Sequence, residues 1–367
     1  MIGRTTFSIL AALLSAAAGL AAADGASSDP APRAPDRTPS ASGTLIVLNK
    51  SEATASLIDL ASGRTAATVP TGDGPHEVAV SPDGRLALVT NYGRDEDGTT
   101  LTVIDVPAGR VARTIDLAPY RRPHGAAWLA GGTRVAVTAE RDQALLIVDV
   151  ASGRVVSKVT TGQKVSHMVA VTPSGRRAFV ANIGSGTVSV IDLEAGKHVK
   201  DVPTGAGAEG IDVTPDGRHV WVTNREADTV TVIDASSLQV LKELPSKSFP
   251  IRARVTPKGR HVLVTHARSG EVAVFDARSM KEIRRIPLKL PAGATEGRLF
   301  GGSFGDSSVP IGILVHPGGE VAWVAHANAD VISVLDLKTW SPAGTLAAGK
   351  EPDGLGFSPA TVRPAAD

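Results

Sequence analysis

LTVIDVPAGRVARTIDL, residues 101–117, contains the phrase whose recurrence decides the fold. Its core, TVIDV, is a β-branched run closed by Asp105, and it returns as SLIDL, LIVDV, SVIDL, TVIDA, AVFDA and SVLDL. The aspartates are Asp59, Asp105, Asp149, Asp192, Asp234, Asp276 and Asp336, spaced by 46, 44, 43, 42, 42 and 60 residues. A period near 42 made of short strands and Gly/Pro turns marks a β-propeller, and seven copies mark seven units.

One unit reads from 75 to 117. HEVAV is a first strand, SPDGR a turn with Pro82 and Gly84, LALVTN a second strand, LTVIDV a third, PAGR a turn with Gly109, and VARTIDL a fourth. Pro presets φ and Gly accepts a positive φ at such turns. Four antiparallel strands make one blade, and the inner strands are apolar on both faces because neighbouring blades cover both. The first copy, from Thr44, lacks a first strand, and PDGLGFSP at 352–359 is a first strand alone. The two ends therefore share one blade, which closes the ring and leaves no free inner edge. The fold class is all-β, a seven-bladed propeller of four-stranded antiparallel blades. The repeated Asp precedes a tight turn in every copy and reads as a backbone acceptor there.

The second strands end in phrases such as LVTN, FVAN and WVTN. These closely resemble the YVTN-type β-propeller repeat family, over roughly residues 44–359. The resemblance implies the fold. Similar seven-bladed propellers include lactonases and lyases that work from the central rim with His, acidic and Arg residues.

Around the repeat, residues 1–23 read as a secretory signal: Arg4, an apolar stretch, and Ala21-Ala22-Ala23 as a cleavage site. The apolar stretch is short for a membrane span. Residues 24–42 are a Pro/Ser/Ala-rich flexible leader, 43–360 the propeller and 361–367 a tail. The expected location is periplasmic or extracellular, with no membrane span once the signal is removed. The chain has no Cys, so disulfides are excluded. Removal of Arg4 leaves 37 basic and 37 acidic residues, which gives no polyanion footprint and argues against a nucleic-acid partner.

The ring allows equivalent positions to be compared. Eight residues before the turn Gly, or six before the turn Pro, at the start of the innermost strand, stand Asp353, His76, His124, His167, Glu209, Ile251 and Ile311. Five successive units carry metal-capable or acid/base side chains there, in a chain with nine His in all. The second strand runs antiparallel and ends on the same face, which adds His266 and His326, and just beyond the strand ends Lys50, Tyr92, Glu140 and Arg225; Arg252 follows Ile251. Neutral imidazoles plus a carboxylate suit Zn²⁺ or another first-row divalent ion. The expected metal set is His76, His124 and His167 with Glu209 or Asp353. Glu209, Asp353 and His124 are the candidates for catalysis, and Tyr92, Glu140, Arg225, Arg252, His266 and His326 for ligand binding. Arg225 and Arg252 suit a carboxylate or phosphate.

Three functions remain open from the sequence: a binding protein for a small polar ligand or metal ion, a lactonase- or lyase-like enzyme using the same rim, and a protein-interaction scaffold. Metal that resists dialysis favours the first two and lactone turnover the second. An insertion at 289–308 lengthens the last spacing and reads as a mobile loop over one face. It contains Gly301-Gly302-Ser303-Phe304-Gly305, but a nucleophile elbow needs a strand-to-helix turn, which a propeller does not supply there.

Overall fold

A computed structural model describes residues 42–293 and 295–363. The expected signal, nearly all of the leader and most of the tail lie outside the described residues. The described chain folds into seven four-stranded antiparallel sheets. Blades 2 to 7 follow in chain order, with innermost strands Pro75–Val80, Pro123–Trp128, Ser166–Val171, Ala208–Val213, Pro250–Val255 and Pro310–Val315. Blade 1 combines Thr44–Asn49, Thr54–Asp59 and Arg64–Pro70 with Pro352–Ser358 as its innermost strand. That strand pairs with the first strand of the chain from Thr44↔Ser358 to Asn49↔Pro352. The closure expected from the two incomplete ends is thus the observed one. No described helix is long and apolar enough to cross a membrane.

The core lies between blades. The second and third strands are buried almost throughout because each sheet is sandwiched by its neighbours, with Trp221, Trp323, Phe179 and Phe275 among the largest fully buried side chains. The repeated aspartates end the third strands and cap the turns that follow. Asp149 accepts from the Ser152 amide at 2.8 Å, Asp234 from Ser237 at 2.7 Å and Asp336 from Lys338 at 2.7 Å. Each outer strand carries a register shift where it pairs with the third strand, and such bulges blunt an exposed edge.

Candidate ion site at the channel mouth

The second residue of each innermost strand sits in a local irregularity. Pairing with the second strand shifts at Pro75/Val78, Pro123/Ala126, Ser166/Val169, Ala208/Ile211, Pro250/Arg252 and Pro310/Ile313. A bulge frees a side chain from the sheet's alternation and re-aims it. Threonine hydroxyls bridge the gap. Thr90 Oγ1 accepts from the Glu77 amide at 3.1 Å and donates to the His124 carbonyl of the next blade at 2.7 Å. Thr138 does the same for the Gly125 amide (2.8 Å) and the His167 carbonyl (2.6 Å). His124 and His167 are therefore each held by the blade before its own.

The arc converges. The His76 and His124 ring centroids are 5.0 Å apart and those of His124 and His167 3.5 Å. Tyr92 lies 4.6 Å from His76 and edge-on to His124 at 5.5 Å. Its hydroxyl donates to Glu140 Oε2 at 2.6 Å, and the other Glu140 oxygen is hydrogen-bonded to His167 Nδ1. Glu209 binds Arg225 at 2.5 Å and Arg252 at 2.6 Å, and Arg252 reaches on to Glu77 at 2.9 Å. His167 Nε2 lies 3.4 Å from Glu209 but is not aligned for a hydrogen bond. At the other end, Lys50 Nζ stands 3.3 Å from both Asp353 and Glu351.

Electrostatics separate these groups. Burial holds His76 neutral, with a pKa lowered to about 3 despite Asp353. His124 is pushed well below the usual imidazole range by burial and then by His167 and His76. His167 also loses solvation, but Glu140 and Glu209 outweigh that and raise its pKa. Glu209 is buried, yet Arg225, His167 and Arg252 hold it ionised far below the carboxylate range. Asp353 is likewise lowered against burial, by Lys50 and then Arg252. Glu77 goes the other way, because burial exceeds the pull of Arg252. Tyr92 is raised to about 12 by burial and the Glu140 charge.

Three groups bring ligand atoms within 4.8 Å of one another: His124, Glu140 and His167. His124 Nδ1 and His167 Nε2 are buried without a hydrogen-bond partner. Buried polar atoms are normally satisfied, so these two nitrogens are available as ligand atoms. The set differs from the one expected from sequence. Glu140, assigned there to ligand contacts, is the carboxylate between imidazoles. Glu209 and Asp353 are instead occupied by Arg225, Arg252 and Lys50. Glu77 and Glu351 were missed. Glu77 adjoins His76, and Glu351 lies two residues before Asp353, so adjacency to the arc was the available signal.

His266 and His326 stay outside the cluster. His326 is hydrogen-bonded to Ser308 and Ser333, each at 2.8 Å, and His266 Nε2 to Ser246 at 2.8 Å. They staple their blades as Asn does elsewhere: Asn91 Nδ2 donates to Thr100 and Thr102 at 2.9 and 3.0 Å. The insertion, expected to be a mobile loop, is docked. Arg298 makes a two-pronged pair with Asp330 (2.6 and 2.7 Å), and the Leu299 amide donates to Glu351 at 2.7 Å. Phe300 and Phe304 pack with Phe249 over Ile251 and Ile311. The two Ile therefore occupy the arc position where an apolar cover replaces polar partners. Ser303 lies exposed among the insertion's turns, with no helix after it.

The family model described as YNCE-like beta-propeller matches residues 5–129 and 123–295. The chain belongs to the YNCE-like beta-propeller family. Among solved structures, this YNCE-like propeller is similar to a functionally unknown protein from Desulfotomaculum acetoxidans DSM 771, with a TM-score of 0.70 and 14% identity, covering 86% of this chain and 99% of that one. It is also similar to hydrazine synthase of Kuenenia stuttgartiensis, with a TM-score of 0.64 and 18% identity, covering 77% and 88%. At these identities the likeness is one of fold. No curated protein matches the sequence.

Proposed function

We propose that this YNCE-like propeller is an exported binding protein that holds a divalent first-row cation at the channel mouth through His124, Glu140 and His167. The observation that carries the reading is the convergence of three ligand atoms within 4.8 Å, beside two buried imidazole nitrogens that make no hydrogen bond. Two nitrogens and a carboxylate oxygen form a donor set suited to Zn²⁺ and its neighbours. Tyr92 orients Glu140, as outer-shell partners orient ligands elsewhere. Export follows from the signal-like residues 1–23. An open position on such an ion would also serve the lactone chemistry that the sequence brings to mind, by polarising a carbonyl or activating water.

The test is elemental analysis of full-length protein made without a His-rich tag, followed by calorimetric titration of Zn²⁺ into metal-free wild type, His124→Ala, Glu140→Gln and His326→Asn. Wild type and His326→Asn should bind one equivalent. The two ligand variants should lose roughly 100-fold or more, since even outer-shell changes cost 10–100-fold. Affinity should weaken as pH falls, because protonated imidazole cannot ligate, and His167 begins to compete from above the ordinary imidazole range. Equal affinities in all four proteins, or no binding between about pH 6 and 8, where neutral imidazole is available, would sink the reading.

A further inference from the structure

Below the arc, the central channel holds a cavity of about 370 Å³, lined by the innermost strands of all seven blades. Its volume lies within the roughly 300–1,000 Å³ of small-molecule pockets. The cavity has a cause in the sequence. The fifth residue of the innermost strand reads, in ring order from blade 1, Gly356, Ala79, Ala127, Ala170, Asp212, Arg254 and Leu314, and all seven line the cavity. Blades 1 to 4 present no side chain larger than a methyl there, while blades 5 to 7 present long ones. The same four blades carry Asp353, His76, His124 and His167 at the second position. The hollow therefore lies on the strands that bear the arc, and Glu77 belongs to both the charge network and the cavity wall.

Its polar groups are unequal. Glu77 is engaged by Arg252 at 2.9 Å. Asp212 accepts the Val213 and Val255 amides at 2.9 and 2.8 Å, and Trp128 Nε1 donates to the Ala79 carbonyl at 3.0 Å. Arg254 differs. Its Nε donates to the Ile313 carbonyl at 3.4 Å, its nearest approach to Asp212 is 3.7 Å, and its side chain is 39% exposed. Among the described residues, its terminal nitrogens make no hydrogen bond. The donors left without a hydrogen bond in the hollow thus belong to one guanidinium, its terminal nitrogens held only by the 3.7 Å ion pair with Asp212, and its planar fork matches a carboxylate.

We propose that the hollow beneath the arc binds a small organic monocarboxylate, its apolar body against the Gly356–Ala79–Ala127–Ala170 wall and its carboxylate on Arg254. This site goes beyond the ion reading and needs no ion. The experiment is titration of benzoate into the full-length protein in EDTA, by calorimetry and ligand-observed NMR, with benzylamine as the opposite-charge comparator. Wild type should bind benzoate at one saturable site and more tightly than benzylamine. Arg254→Gln should lose roughly tenfold or more in affinity, as expected when one partner of a charge pair is truncated. Ala127→Leu and, independently, Ala170→Leu should abolish binding by filling the hollow, while His124→Ala should retain it. Thermal melts identify any variant that fails to fold, and Arg254→Lys then replaces Arg254→Gln, with a smaller loss. No saturable benzoate binding, tighter benzylamine, or equal affinity in the folded Arg254 and Ala127 variants would overturn the proposal. Zinc titrations on the same proteins keep the two readings apart: either can fail while the other stands.

Discussion

At the second residue of the innermost strand, blade 3 carries His124 and blade 6 carries Ile251, in the same backbone irregularity and the same kind of threonine brace. Thr90 holds the His124 carbonyl at 2.7 Å and Thr223 the Ile251 carbonyl at 3.1 Å. What differs is what covers them. His124 faces His76, His167 and Tyr92, whereas Ile251 and Ile311 lie under Phe249, Phe300 and Phe304. The repeat thus provides a ring of aimed positions, and the cover chooses between charge and hydrocarbon. Two chains of contacts also join the sectors. Leu299 reaches Glu351 and so Lys50 and Asp353, while Arg225 lies 5.9 Å from the Phe300 ring and binds Glu209.

Opening the ring should disturb both sectors most. Truncation after Gly349 removes Pro352–Ser358, with Asp353, and unpairs the first strand of the chain. Loss of several buried side chains and a ladder of backbone bonds should cost more than about 5 kcal/mol, enough to abolish cooperative melting. An unchanged melting midpoint would show that closure contributes nothing.

Within the closed ring, Arg252→Met should destabilise by about 3–5 kcal/mol, because it leaves Glu77 buried without its partner and Glu209 with Arg225 alone. Ile311→Ala should cost about 2–4 kcal/mol by leaving a cavity under the aromatic cover. The distinguishing readout is pH. The Arg252→Met loss should shrink in acid as the carboxylates are protonated, and the Ile311→Ala loss should not. Urea melts at pH 7 and pH 4 decide this, and identical pH dependence would erase the contrast.

Acid should weaken the wild type through both sectors. His76 in the arc and His266 and His326 in blades 6 and 7 all have pKa values lowered to about 3 by burial. A depressed folded-state pKa gives stability that is present above the unfolded value, about 6.5, and lost as pH falls toward 3. His167, raised by Glu140 and Glu209, acts oppositely: its contribution is complete below the unfolded value and is lost as pH rises through the folded one. His266→Asn with His326→Asn, the residue four other blades carry, should reduce the acid sensitivity without removing it. An acid profile unchanged from wild type would mean that these two imidazoles titrate freely.

The smallest effect belongs to the cover. Phe304→Ala should cost about 1 kcal/mol, the worth of its contacts with Phe249 and Phe300, and should raise protease cleavage within 289–308. Cleavage at the wild-type rate would show that the aromatic stack does not secure the insertion.

Much of the site was legible because a propeller makes position arithmetic. Counting back from the turn Gly placed His76, His124 and His167 side by side, since every inner strand starts at the same rim. The same count erred with His266 and His326. A strand end says which rim a residue reaches, not whether its side chain turns to the axis or into the sheet. Serine hydroxyls at 246, 308 and 333 settle that, and Ser246 and Ser308 come from the connections between blades rather than from the strand that bears the histidine. Glu140 was read as a ligand contact because its role depends on Tyr92 and His167, from the blades on either side.

The number of blades, their closure, the capping aspartates and the ring of arc positions follow from the order of residues alone. All of these are periodic, and a period survives without coordinates. Which carboxylates are neutralised, which imidazole nitrogens make no hydrogen bond and where space remains emerge only once the chain is folded. Lys50 meets Asp353 across 303 residues of chain and Arg252 meets Glu77 across 175. Charge balance at the mouth is a property of the closed ring, in which side chains from different blades share one small volume of low dielectric.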